Sequence, residues 1–130
     1  IMSSDWSSDV CSSDLGLASH PQHELFARTA NEGYGFGGML TIDCGDADRA
    51  ERLMGVLQNE ERFGLIAVSL GYFDTLISCS GSSTSSEISA DERRRMGLSP
   101  GLLRVAVGLT GVLEERVEQI ERAVRQVGLV

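Results

Sequence analysis

Leu102-Leu103-Arg104-Val105-Ala106-Val107-Gly108 reads as a strand: apolar residues with one arginine among them, closed by a glycine. Side chains alternate along a strand, so Leu103, Val105 and Val107 share one face, and Leu102, Arg104 and Ala106 share the other. A guanidinium set among Leu, Val and Ala is costly to desolvate and calls for an anionic partner. Its neighbours on the same face are modest in size. They leave room for a planar anion such as a carboxylate, which the bidentate fork matches. The strand alone also allows a second reading, an arginine on the wet face of a half-exposed antiparallel sheet.

Outward from that strand the pattern alternates. Downstream, Leu113, Val117, Ile120, Val124 and Val127 recur at helical spacing and predict a helix with one apolar stripe. Upstream, Ser89-Ala90-Asp91-Glu92 fits a capping box for a short helix stopped by Gly97. Residues 75–86 read as irregular and serine-rich, and 65–70 as a second apolar strand that carries Ser69 in a buried setting. Asp46 caps an amphipathic helix whose inner face holds Ala47, Ala50, Leu53, Met54 and Leu57. Met39-Leu40-Thr41-Ile42-Asp43 is a strand, 31–38 a glycine loop, and Ser19 a cap for a helix starting near Pro21 with Leu25 and Phe26 as its apolar side. Three or four strands with two long one-faced helices predict an α/β (α+β) two-layer sandwich, with the helices on one side of a small, mainly antiparallel sheet. No internal repeat is present.

The first fifteen residues stand apart. Residues 6–15, Trp-Ser-Ser-Asp-Val-Cys-Ser-Ser-Asp-Leu, have neither strand nor helix period. They match the in-frame translation of the sequencing adapter TGGAGTTCAGACGTGTGCTCTTCCGATCT. They also lack the basic start and apolar run of a signal peptide. Residues 1–15 are therefore expected to be a non-native, disordered leader, and 16–130 a single domain. In that domain sixteen acidic residues face eleven arginines, and there is no lysine. The only basic cluster, Arg93-Arg94-Arg95, follows Asp91 and Glu92, so no nucleic-acid footprint is expected. No apolar run approaches the roughly 20 residues of a membrane helix. Cys44 and Cys79 fall in no Cys-x-x-Cys pattern and read as buried thiols of a reducing, cytoplasmic compartment.

The small motifs are weak. Gly33-Tyr34-Gly35-Phe36-Gly37-Gly38 precedes a strand and does not join strand to helix, so it reads as a turn and not a phosphate cradle. His20 and His23 have ligand spacing but no third ligand nearby, which argues against a metal site. Ser82, Ser83, Ser85 and Ser86 lack both a nucleophile elbow and a histidine base.

Several longer motifs occur in order: Gly16-Leu17-Ala18-Ser19-His20-Pro21-Gln22-His23-Glu24-Leu25, Gly37-Gly38-Met39-Leu40, Ala67-Val68-Ser69-Leu70-Gly71 with Asp74-Thr75-Leu76-Ile77, and Gly97-Leu98-Ser99-Pro100-Gly101-Leu102-Leu103-Arg104-Val105-Ala106-Val107-Gly108. Together they resemble the C-terminal part of the Cys/Met-metabolism (trans-sulfuration) pyridoxal-phosphate enzymes, the family of cystathionine gamma-lyase, cystathionine gamma-synthase, methionine gamma-lyase and O-acetylhomoserine sulfhydrylase. The resemblance covers residues 16–130 and implies the small C-terminal domain of a fold-type I enzyme. It implies that Ser69 and Arg104 bind the substrate's alpha-carboxylate. The family's Pro-x-x-Met-Thr-His run is represented here only by Thr84, which is implied to shape the substrate loop. The resemblance also implies a sulfur-containing amino acid as substrate and a homotetramer as the intact enzyme.

The implied cofactor, pyridoxal 5'-phosphate, is held on a lysine in a large domain that would precede residue 16. With no lysine, the chain as given is expected to be an inert fragment of a C–S lyase or transferase. A second class remains open, a free-standing, non-catalytic α/β regulatory module that binds a small acid or a partner subunit.

Overall fold

The computed structural model describes residues 16–79 and 88–130; the expected leader and Thr84 lie outside the described residues. The arginine-bearing stretch forms β4, Leu102–Ala106, and it is an inner strand of the sheet. It pairs antiparallel with β1, Met39–Asp43, placing Thr41 opposite Arg104, and antiparallel with β3, Leu76–Cys79, placing Ser78 opposite Arg104. A two-residue β2, Leu65–Ile66, adds in parallel to β3, giving the order β1-β4-β3-β2. The sheet is therefore mixed but mainly antiparallel, as the sequence predicts.

The alternation on β4 sets the core. Leu103 and Val105 are fully buried, with Ile42, Ile77 and Cys79 beside them on the same sheet face. Onto this face packs α2, Ala47–Gly55, which continues into a single π-helical turn, Val56–Glu60. Asp46 caps α2 as predicted, its Oδ1 accepting from the Arg49 N–H at 2.9 Å. Ala50, Leu53, Met54 and Leu57 enter the core, whereas Ala47 stays exposed. Burying one such leucine contributes about 1.5–3 kcal/mol. The last helix, α4, Leu113–Gln126, packs against the π turn and adds Ala123 and Val127 to the same core.

The structure corrects four expectations. Residues 76–79 form a strand inside the stretch read as irregular. β3 is buried at every position, and a strand buried on both faces shows no period-2 signal. The strand expected over 65–70 stops at Ile66. One further ladder bond, from Ala67 N–H to the Ile77 carbonyl at 3.0 Å, follows before the chain leaves the sheet, so Ser69 lies outside it and is exposed. The first helix, α1, His23–Thr29, has Gln22 at its cap and no side-chain capping bond, so Ser19 does not cap it. It buries no residue of its own, although the Phe26 and His23 rings lie 5.4 and 5.2 Å from that of Phe36. Finally, the apolar stripe of α4 is only half used: Leu113 and Val117 are exposed, while Gln119 and Ala123 are buried. The short helix α3, Ala90–Arg95, forms with the predicted capping box between Ser89 and Glu92.

Among the described residues no helix is long and apolar enough to cross a membrane.

Candidate functional site

Arg104 projects from the sheet face opposite the helices, because its strand neighbours Leu103 and Val105 take the core side. Its Nη2 donates to the main-chain carbonyl of Ser69 at 3.2 Å. Two residues singled out in the sequence thus meet, but through the Ser69 backbone. The third, Thr84, lies outside the described residues.

Arg104 departs from the sequence argument in one respect: none of the carboxylates among the described residues forms an ion pair with it. Its Nε is buried and has no hydrogen-bond partner, and the same is true of Ser78 Oγ, on the residue directly across the ladder. A buried polar group left unpaired costs about 1–3 kcal/mol. Two such groups on facing residues mark a place where the fold leaves donors unpaired. Chemically, such a place can take a planar anion in charge-assisted hydrogen bonds.

Several other arginines do find an anion among the described residues, and the most enclosed of them is Arg116, which sequence reasoning did not single out. Its Nη1 donates to the Phe63 carbonyl at 2.8 Å and to the Arg62 carbonyl at 3.2 Å, and its Nε to the Thr110 carbonyl at 3.1 Å. Nη2 reaches Thr110 Oγ1 at 3.0 Å and lies 3.8 Å from Asp74 Oδ1. Asp74 in turn accepts from Thr110 Oγ1 at 2.6 Å and from the Thr75 N–H at 2.8 Å. The hydroxyl of Thr110, then the Thr75 amide and the Arg116 charge, hold the Asp74 carboxyl below the ordinary aspartate range. On the helical pattern Arg116 falls beside the exposed residues of the first turns of α4. Only the three-residue step to Gln119, which bonds the Glu61 carbonyl at 2.8 Å, hinted at an inward polar face. Nε, Nη1 and Nη2 of Arg116 are all engaged in this constellation. It holds the 61–63 turn and the 110 loop to α4.

The remaining candidates have structural roles. His20 Nδ1 accepts from the Gln22 N–H at 3.1 Å, and His23 stacks on Phe36. Among the described residues no group of three His, Cys, Asp or Glu side chains is placed to hold a metal. Cys44 and Cys79 are buried and form no disulfide, and the Cys79 Sγ lies 3.6 Å from the Pro100 carbonyl; burial first, then the charge of Asp43, raises the Cys44 thiol to about 11. A shallow hollow of about 410 Å³ lies in the helix layer, lined by residues such as Arg52, Val56, Glu60 and Gln126, and is not part of the Arg104 face.

Comparison with known proteins finds relatives of the chain as a whole. Residues 13–125 match the family model described as Cys/Met metabolism PLP-dependent enzyme. The chain is 52% identical over 108 residues to methionine gamma-lyase of Arabidopsis thaliana, covering 83% of this chain and 24% of that protein. It is 36% identical over 112 residues to cystathionine gamma-lyase of Bacillus subtilis, covering 86% of this chain and 27% of that protein. In three dimensions it is similar to cystathionine gamma synthase of Xanthomonas oryzae pv. oryzae in complex with cystathionine, with a TM-score of 0.70 and 30% identity over 88% of this chain and 28% of the other. An O-acetylhomoserine (thiol)-lyase structure from Campylobacter jejuni, carrying N'-pyridoxyl-lysine-5'-monophosphate, gives a TM-score of 0.67 at 26% identity, over 84% of this chain and 24% of the other. The chain thus spans about a quarter of the length of the curated relatives it matches.

Proposed function

The chain belongs to the Cys/Met-metabolism, pyridoxal-phosphate-dependent enzyme family, and from that premise we propose that it is the C-terminal domain that anchors the substrate's alpha-carboxylate in a C–S lyase or transferase of sulfur amino acids. The observation that carries the proposal is the guanidinium of Arg104: seated on the Ser69 carbonyl, with a buried, unpaired Nε and no carboxylate of the described residues against it. A substrate carboxylate supplies the missing acceptor, and Arg104 fixes its position by paired N–H···O contacts. The Ser69 hydroxyl adds a donor beside it. Thr84 enters the proposal by its motif alone.

The family depends on pyridoxal phosphate, and this sequence has no lysine side chain on which its aldehyde could be held. The cofactor therefore belongs to a large domain preceding residue 16 of the intact protein, with 1–15 an adapter-derived leader. The chemistry supplied by the bound cofactor is electron withdrawal from the carbanion formed on the substrate. The residues of this chain orient the substrate for it; by themselves they are inert. The intact protein is proposed to be a cytoplasmic homotetramer.

The test is Arg104→Lys in the intact enzyme, which keeps the charge and removes the planar fork. Folding and cofactor content should be unchanged. Catalytic efficiency should fall about 10²-fold or more, since losing a buried charge-assisted pair costs roughly 2–5 kcal/mol. Efficiency within threefold of the parent enzyme overturns the assignment. For the chain alone, borohydride treatment with added pyridoxal phosphate should fix no pyridoxyl group on any side chain.

A further inference from the structure

We propose that Ser78 is a further binding residue of the Arg104 site: its hydroxyl and the Arg104 Nε–H donate to the same oxygen of the substrate carboxylate. The proposal rests on the carboxylate reading of Arg104 and extends it to a residue that no sequence motif singled out.

The sheet register brings the two groups together. Ser78 on β3 lies directly opposite Arg104 on β4, and such cross-strand partners have Cβ atoms about 4.5–5.5 Å apart on one face. Both side chains therefore leave the sheet on the side away from the core. β3 is otherwise apolar along its length, with Leu76 and Ile77 before the serine and Cys79 after it, and all four positions are buried. Ser78 is only 3% exposed, yet its Oγ has no partner. An alanine would serve that strand without orphaning a hydroxyl.

The chemistry of the two groups is complementary to one ligand atom. A guanidinium only donates, and a serine hydroxyl can rotate to aim its single O–H wherever an acceptor stands. With Nη2 resting on the Ser69 carbonyl, the edge of the guanidinium left wanting is the one that carries Nε. A carboxylate oxygen has two lone pairs and accepts from both donors at once. A neutral amide or a thioether has no charge to meet the guanidinium, so the site selects the carboxylate end of an amino acid over its side chain.

The experiment uses the intact enzyme and four variants, Ser78→Ala, Ser78→Thr, Ser78→Cys and Arg104→Lys. The readouts are substrate KM, kcat, and competitive inhibition by acetate, with methylammonium as a probe lacking a carboxylate. Ser78→Ala should raise KM and the acetate inhibition constant together by about 3–10-fold, leave kcat within twofold, and leave methylammonium unaffected. Ser78→Thr, which keeps the hydroxyl, should recover most of the loss. If the added methyl prevents folding, Ser78→Cys, close in shape and a weak donor, should fall with the alanine variant. Unchanged KM and acetate inhibition in Ser78→Ala, beside a large loss in Arg104→Lys, overturns the role of Ser78 alone. No loss in Arg104→Lys overturns the carboxylate site itself.

Discussion

Arg104 and Arg116 are the same side chain put to opposite uses. Arg116 is enclosed by carbonyls of Arg62, Phe63 and Thr110 and by the Asp74 carboxylate, so replacing it strands several acceptors at once. Arg116→Met should destabilise the chain by about 2–3 kcal/mol in urea denaturation, with partial exposure of the pair holding the loss below that of a fully buried ion pair. Arg104→Met should change stability by less than about 1 kcal/mol, because the Nε it removes is already unpaired and the one bond it loses, from Nη2 to the Ser69 carbonyl, is exposed. Two other groups contribute pH dependence. Asp74 titrates lower in the folded state than unfolded, so its contribution is present above the ordinary aspartate range, ~4, and is lost as pH falls through the folded value. Asp74→Asn should flatten that acid limb. Cys44 is shifted the other way, from 9.0 to about 11, so the unfolded chain ionises first and stability declines as pH rises through that interval. Two pKa units correspond to about 2–3 kcal/mol, and Cys44→Ala should abolish this alkaline loss in melts taken across the range.

At the scale of elements, close approach governs. A Cβ on Gly108 would lie 2.3 Å from the Asp74 carbonyl carbon and 2.5 Å from the Thr75 nitrogen, both backbone atoms that cannot step aside. Gly108→Ala should therefore cost about 1–3 kcal/mol, and it should loosen the Arg116 network by pushing Asp74 away. Ser89→Ala, by contrast, removes a capping box from a six-residue helix. It should cost about 1 kcal/mol, seen as faster amide exchange confined to α3. The helix α2 and the strands β1 and β4 were legible in the sequence because each has one face in the core and one outside, and that asymmetry writes a period. β3 was not, since Leu76, Ile77, Ser78 and Cys79 are all enclosed and alternate with nothing. The fate of α4 was half legible. Val124 and Val127 meet the core as their spacing demands, but Gln119 and Arg116 turn inward to reach carbonyls that only the tertiary fold brings near. The site divides in the same way. Arg104 announced itself as a charge among aliphatics, whereas Ser78 becomes notable only once the register sets it beside that charge.

For the molecule as a whole, the apolar surface left uncovered stands out. Val68, Leu70, Tyr72 and Phe73 are exposed, as are Val107 and Leu113, and Leu109 is 95% exposed. The Leu109 N–H bonds the Phe73 carbonyl at 2.8 Å, which joins two of these segments. Exposed apolar side chains drawn together in this way favour association. The chain alone should self-associate in light scattering as its concentration rises, and Leu109→Ser with Leu113→Ser should reduce this. Melting should shift little, because neither side chain is in the core.

The strand order has a consequence in time. β1 and β3 each pair with β4, and neither pairs with the other, although both are synthesised long before it. Thr41 must wait for a partner 63 residues further along the chain. Until β4 emerges, the earlier strands have no common template. Loop closure over such a separation makes assembly slow and leaves apolar edges open meanwhile. The strand that ends the wait is also the one that carries Arg104. On this ordering no partly assembled sheet can hold the anion: the nascent chain gains its sheet and its binding site in one late step.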